Sequence, residues 1–95
     1  MPAYMIARIK VTDPEQYKKY LAVTPGILAT FGARFIARGG ETVTLEGPEE
    51  TSRVVIVEFP SLDVVREFYA SPEYQEAIKL REGAAEISMV GVAGL

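Results

Sequence analysis

Any chemistry in this 95-residue chain has to come from a short set of side chains, because the sequence contains no histidine and no cysteine. Without histidine it lacks the usual general base near neutral pH, the commonest zinc ligand and the usual haem ligand. Without cysteine there is no disulfide, thiolate nucleophile, iron–sulfur cluster or zinc–thiolate site. What remains is five tyrosines, ten Lys and Arg residues, thirteen Asp and Glu residues and scattered hydroxyls. No motif asks for a cofactor. The acid pairs Asp13/Glu15 and Glu49/Glu50 sit at a helix start and in a turn, which makes a metal site there improbable.

The densest of these residues lie in "EFPSLDVVREFYASPEYQ", residues 58 to 75. Read functionally, Glu58 is an acid or base at a strand end, and an arginine such as Arg8 or Arg38 holds a carboxylate or oxyanion. Tyr17, Tyr20, Tyr69 and Tyr74 then donate hydrogen bonds or stack on a ring in a pocket between sheet and helices. Glu58 is the catalytic candidate, and Arg38, Tyr69, Ser71 and Tyr74 are the ligand-binding candidates. Read structurally, Glu58 forms an ion pair with an arginine and the tyrosines fill the core with their hydroxyls satisfied. Ser71 is first an N-cap, with Pro72 at the next position, and has no base to activate it. The amides after it would also suit a carboxylate or phosphate. The "RGG" at 38–40 lacks the strand-to-helix setting of a phosphate loop and reads as a turn or bulge.

The elements that must position these groups are legible. Residues 4–11 are β-prone, with Met5, Ala7, Ile9 and Val11 on one face and Tyr4, Ile6, Arg8 and Lys10 on the other. "TDPEQY" supplies an N-cap at Asp13, Pro14 at the first helical position and Gln16 three residues after the cap. The helix that follows has an apolar side of Tyr17, Tyr20, Leu21, Ile27, Leu28 and Phe31. Pro25 is expected to kink or interrupt it, and Gly32 to end it. Two β-prone runs, 33–38 and 41–46, flank Gly39 and Gly40 and fit either a tight hairpin or one strand bent at a bulge. "RVVIVEF", 53–59, is the clearest strand. Pro60 stops it, Ser61 caps a helix containing Phe68 and Tyr69 as core residues, Ser71 caps a second helical segment, and "EISMVGVAGL" closes the chain as a strand. Strand, helix, strand, strand, helix, strand is the split βαβ order of an α+β sandwich, an antiparallel sheet with helices on one face, within one domain spanning residues 1–95.

Charge narrows the partners. A formal net charge of -3 with scattered basic residues argues against a nucleic-acid surface. No stretch approaches the roughly 20 apolar residues of a membrane span. "MPAYMIARIKV" lacks a basic leader or cleavage site and reads as a strand, so a cytoplasmic location is expected.

The 53–59 strand and the last strand are apolar on both faces, although helices can cover only one. The simplest cover for the other face is the same sheet of a second copy, in an isologous homodimer. In order along the chain, "MPAY", "VTDPEQYKKY", "FGARFIARGGE", "VVIVEFPS", "FYASPEYQ", "LR" and "VGVAG" resemble the bacterial proteins of domain of unknown function 1330, in the dimeric α/β-barrel superfamily. The resemblance spans essentially the whole chain and implies a ferredoxin-like subunit in a homodimer. Relatives in the wider superfamily include cofactor-independent monooxygenases, isomerases and haem enzymes, and shared fold alone does not transfer their activity. Two functions remain: a dimeric protein that binds a small organic metabolite or serves an accessory role, or a cofactor-independent enzyme acting on a small aromatic or carboxylic substrate. The missing histidine and thiol weigh toward the first.

Overall fold

The computed structural model describes residues 1–95 and contains β1 (Ala3–Val11), α1 (Pro14–Thr30), β2 (Arg34–Arg38), β3 (Arg53–Phe59), α2 (Leu62–Ala70), α3 (Pro72–Leu80) and β4 (Ala85–Ala93). The helix starts are fixed by local chemistry. Asp13 Oδ1 accepts from the Gln16 amide at 3.2 Å, and Ser61 Oγ accepts from the Val64 amide at 3.2 Å. Ser71 serves two helices: its hydroxyl accepts from the Tyr74 amide at 3.2 Å and donates to the Phe68 carbonyl at 2.7 Å, joining the end of α2 to the start of α3. Such a cap satisfies amides that have no partner within the helix.

Pro25 does not interrupt α1, which runs unbroken from Pro14 to Thr30. A proline removes one main-chain bond, while the buried stripe Tyr17, Tyr20, Thr24 and Leu28 continues on both sides of it. Thr24 Oγ1 also donates to the Tyr20 carbonyl at 2.6 Å, engaging an acceptor in the same turn. Gly32, with φ of 71°, takes the left-handed position after the helix, where the Gly32 and Ala33 amides close back on the Ala29 and Leu28 carbonyls.

The strands form one antiparallel sheet in the order β2-β3-β1-β4. Neither arrangement expected for 33–46 occurs. Only Arg34–Arg38 pairs, and residues 41–46 form no strand. The Gly39 amide donates to the Val54 carbonyl at 2.9 Å, so that glycine extends the β2–β3 ladder and cannot turn a hairpin. The irregularity lies instead inside β2: Phe35 faces Val57 but Ala37 faces Ile56, leaving Ile36 as an extra residue.

All three helices lie on one face. Ala3, Met5, Ala7 and Ile9 of β1 and Val55, Val57 and Phe59 of β3 turn toward them and are buried with Tyr17, Tyr20, Leu28, Phe68, Tyr74, Ala77 and Ala84. Fully burying one such large apolar side chain contributes about 1.5–3 kcal/mol. Rings connect through this core: Phe68 lies 4.3 Å from Tyr74 and 5.3 Å from Phe59, and Tyr20 lies 6.2 Å from Tyr74. The molecule is only 17 Å thick, enough for one sheet and one helix layer about 10 Å across. The opposite sheet face therefore stays open. It presents Ile36, Val90 and Val92 at 48%, 60% and 48% exposure, beside the half-buried Ile6, Val54 and Ile56.

Candidate functional site

Strand parity and the β2 bulge separate the residues that the sequence groups together. Glu58 sits on the open face, opposite Tyr4 on β1 and Arg34 on β2, and its Oε1 lies 2.7 Å from Arg34 Nε. The hydrogen bond to Glu58 raises the Arg34 pKa above the ordinary arginine value. Arg38 is on the other side. Beyond the bulge it pairs with the inward-facing Val55, and its guanidinium lies 4.0 Å from the centre of the Phe35 ring. Glu58 and Arg38 thus share no pocket, which corrects the expected grouping. Arg8, also on the open face, is bound at 2.8 Å to Glu50 of the long β2–β3 connection.

Beneath α1, Arg38 and Arg53 border a narrow cavity with Tyr17, Phe35, Val55 and Met5. At about 40 Å³ it is too small for a metabolite.

The larger recess lies at the other end of the helix layer, over β4. It is an open cleft of about 570 Å³. α2 contributes Val65, Arg66, Tyr69 and Ala70, α3 and its cap contribute Ile78 and Arg81, and the sheet contributes Met5, Ile87, Met89, Val90 and Gly91. A ligand pocket of a few hundred cubic ångströms, mostly apolar with few polar groups, has this character. Tyr69, expected in the core, is 48% exposed on its rim, because the helix that buries Phe68 must carry the next residue outward.

Tyr74 is wholly buried beneath the cleft. Its hydroxyl lies 2.6 Å from that of Tyr20 and donates to Met89 Sδ at 3.7 Å. Burial, reinforced by the Tyr20 hydroxyl, pushes the Tyr74 pKa well above the ordinary tyrosine value, and burial likewise raises Tyr20. Both phenols are therefore neutral hydrogen-bonding groups. Beside them is Arg81, the C-cap of α3, whose guanidinium lies 5.2 Å from the centre of the Tyr20 ring. Burial disfavours its charge, but the Tyr74 and Tyr20 hydroxyls outweigh that effect and raise its pKa. Its Nε is buried without a hydrogen-bond partner.

Of the expected binding residues, then, Tyr69 lines the cleft, Tyr74 supports it from beneath, and Ser71 acts as the α2–α3 joint next to it. Arg38 and Glu58 lie elsewhere. Sequence reasoning passed over Arg81, Met5 and Met89. The available signal was a cation at the C-cap of a helix, a common placement that favours the helix dipole and needs no ligand.

These features define an α+β protein of the ferredoxin-like kind, with a cleft between α2–α3 and the β4 edge of its sheet. The chain matches, over residues 2–95, the family described as Domain of unknown function (DUF1330), and it belongs to that family. It is similar to the crystal structure of RPA0582, a protein of unknown function from Rhodopseudomonas palustris, with a TM-score of 0.78 and 24% identity over 99% of this chain and 82% of that one. It is also similar to SnoaB, a cofactor-independent oxygenase from Streptomyces nogalater, with a TM-score of 0.69 and 17% identity over 99% of this chain and 93% of that one. A dimeric ferredoxin-like protein of unknown function from Thermobifida fusca gives a TM-score of 0.64 and 17% identity over 99% of this chain and 92% of that one. No curated protein matches. No helix is long and apolar enough to cross a membrane.

Proposed function

We propose that this protein is a homodimer in which each chain binds a small, largely apolar organic molecule in the cleft between α2–α3 and β4. The observation that carries this reading is the cleft: about 570 Å³ of open space walled largely by apolar side chains, with Arg81, whose Nε has no hydrogen-bond partner, among its lining. Binding is favoured over turnover because no Asp or Glu lines the cleft and Glu58, the expected acid or base, faces away from it.

The dimer is supported by the open sheet face, where Ile6 stands opposite both Ile56 and Val90, with Ile36, Val54 and Val92 on the same face, giving an apolar surface that a second sheet would cover. Val43 and Leu45, at 77% and 85% exposure, add apolar area on the connection that Glu50 ties to this face. The dimeric Thermobifida fusca protein shares the fold.

Titration with the neutral dye N-phenyl-1-naphthylamine tests the cleft. Its fluorescence should rise to a plateau at one dye per chain, and Ala70→Trp, at an exposed position on the rim, should abolish the rise without unfolding the protein. Saturation unchanged in Ala70→Trp would place the dye elsewhere and refute the reading. Light scattering at micromolar concentration should give twice the chain mass, and Ile56→Glu should reduce it to that of one chain.

A further inference from the structure

The polar content of the cleft is one-sided. Two arginines line it, Arg66 and Arg81, and no carboxylate does. Arg66 is engaged at the surface, its Nη1 lying 2.7 Å from Asp63 Oδ1. Arg81 has no carboxylate anywhere in the chain, for the five ion pairs join Arg8 to Glu50, Lys18 to Glu15, Arg34 to Glu58, Arg66 to Asp63 and Lys79 to Glu76. A partly buried cation without a counter-ion is costly, because the water it gives up is not replaced.

The chain nonetheless holds this cation in place. Its backbone caps α3, donating to the Ile78 carbonyl at 3.1 Å, where the negative end of the helix favours positive charge. Its guanidinium rests by the Tyr20 ring, 5.2 Å away, and the Tyr20–Tyr74 hydroxyl pair stands behind it. Tyr20 and Tyr74 are themselves absent from the cleft lining, so they position Arg81 and do not touch a ligand. The Tyr74 and Tyr20 hydroxyls engage part of this guanidinium and leave Nε without a partner; a planar guanidinium held in this way suits a planar, two-oxygen anion. The walls beyond it are a tyrosine ring at the rim and two methionines on the floor, surfaces that pack well against a flat apolar body.

We infer that the cleft takes a flat organic carboxylate, its charged end on Arg81 and its apolar body between Tyr69 and Met89. This rests on the cleft being a binding site, and it adds the chemical class of the ligand.

The test is displacement of N-phenyl-1-naphthylamine by two probes of nearly equal shape, 2-naphthoate and 2-naphthamide. The carboxylate should bind at least about tenfold more tightly, the ratio one additional charge-assisted hydrogen bond gives. Arg81→Gln should bring the two within about twofold while the dye still binds, and Lys18→Gln, a surface cation outside the cleft, should leave the ratio unchanged. If the dye fails to bind, the cleft reading falls and this inference with it. If the dye binds and both probes displace it equally, the cleft stands and the carboxylate preference is refuted. Should Arg81→Gln not fold, wild-type protein decides: phenylglyoxal labelling of Arg81, read by peptide mass spectrometry, should be blocked by 2-naphthoate and not by 2-naphthamide. Equal labelling with either probe would overturn the inference.

Discussion

Removing one oxygen atom from Tyr74 tests how the helix layer is held together beneath the cleft. Tyr74→Phe keeps the ring, and so its packing 4.3 Å from Phe68, and deletes only the hydroxyl that lies 2.6 Å from that of Tyr20. Tyr20 is 5% exposed, so its hydroxyl would be stranded in the core with little access to water. Leaving such a group unpaired costs about 1–3 kcal/mol, whereas removing both partners is close to neutral. For a domain of this size, 1 kcal/mol lowers Tm by roughly 4–8 °C, which gives a fall of about 5–20 °C for the single variant. The assay is thermal and urea unfolding followed by circular dichroism at fixed protein concentration, for Tyr74→Phe, Tyr20→Phe and the double variant. The double variant should be more stable than the sum of the two singles predicts, by about 1 kcal/mol or more. Strict additivity, or a Tyr74→Phe protein as stable as wild type, would show that the hydroxyls are not coupled and would remove the support assigned to Arg81.

Burial raises the pKa of Tyr17, Tyr20 and Tyr74 above the ordinary value of 10.0. The unfolded chain therefore loses its phenolic protons first as pH rises, so stability is fully present below pH 10 and declines above it. The midpoint in urea should fall between pH 9.5 and 11, and less steeply in the Tyr20→Phe/Tyr74→Phe double variant; a flat profile in wild type would contradict the burial argument. Ser71→Ala should cost about 1–2 kcal/mol in urea unfolding through loss of a helix cap, with Ser71→Thr recovering part of it, since a threonine hydroxyl can both accept from the Tyr74 amide and donate to the Phe68 carbonyl. Glu58→Gln, which weakens an ion pair whose arginine is exposed, should leave Tm nearly unchanged and leave dye binding in the cleft untouched. A loss of dye binding in that variant would mean that Glu58 reaches the site after all.

Much of the architecture is written locally. Asp13, Ser61 and Ser71, each followed by a helix whose first amides need acceptors, place three helix starts, and these are short-range effects that neighbouring residues decide. The alternation in 53–59 likewise sorts its residues into two faces, because successive strand side chains point to opposite sides, and with both faces apolar only the fold decides which one meets the helices. The two apolar faces of β3 and β4 signal that something beyond one helix layer covers the sheet. Fold class follows from these elements in order, and the family from the resemblance of the motifs along the chain.

What local pattern leaves open is which faces meet. One extra residue at Ile36 reverses the parity of β2 and turns Arg38 toward the helices, while Glu58 stays on the open face. Nothing in "ARFIARGG" announces that reversal, since a bulge is settled by pairing with β3. The Tyr20–Tyr74 contact joins residues 54 apart, and it exists because α1 and α3 lie side by side on the sheet. Arg81 is unremarkable as a helix-terminal arginine. It becomes the polar end of a cleft only because every acid that might have paired with it is placed elsewhere by the fold, so its missing counter-ion is a property of the folded molecule and of no segment within it.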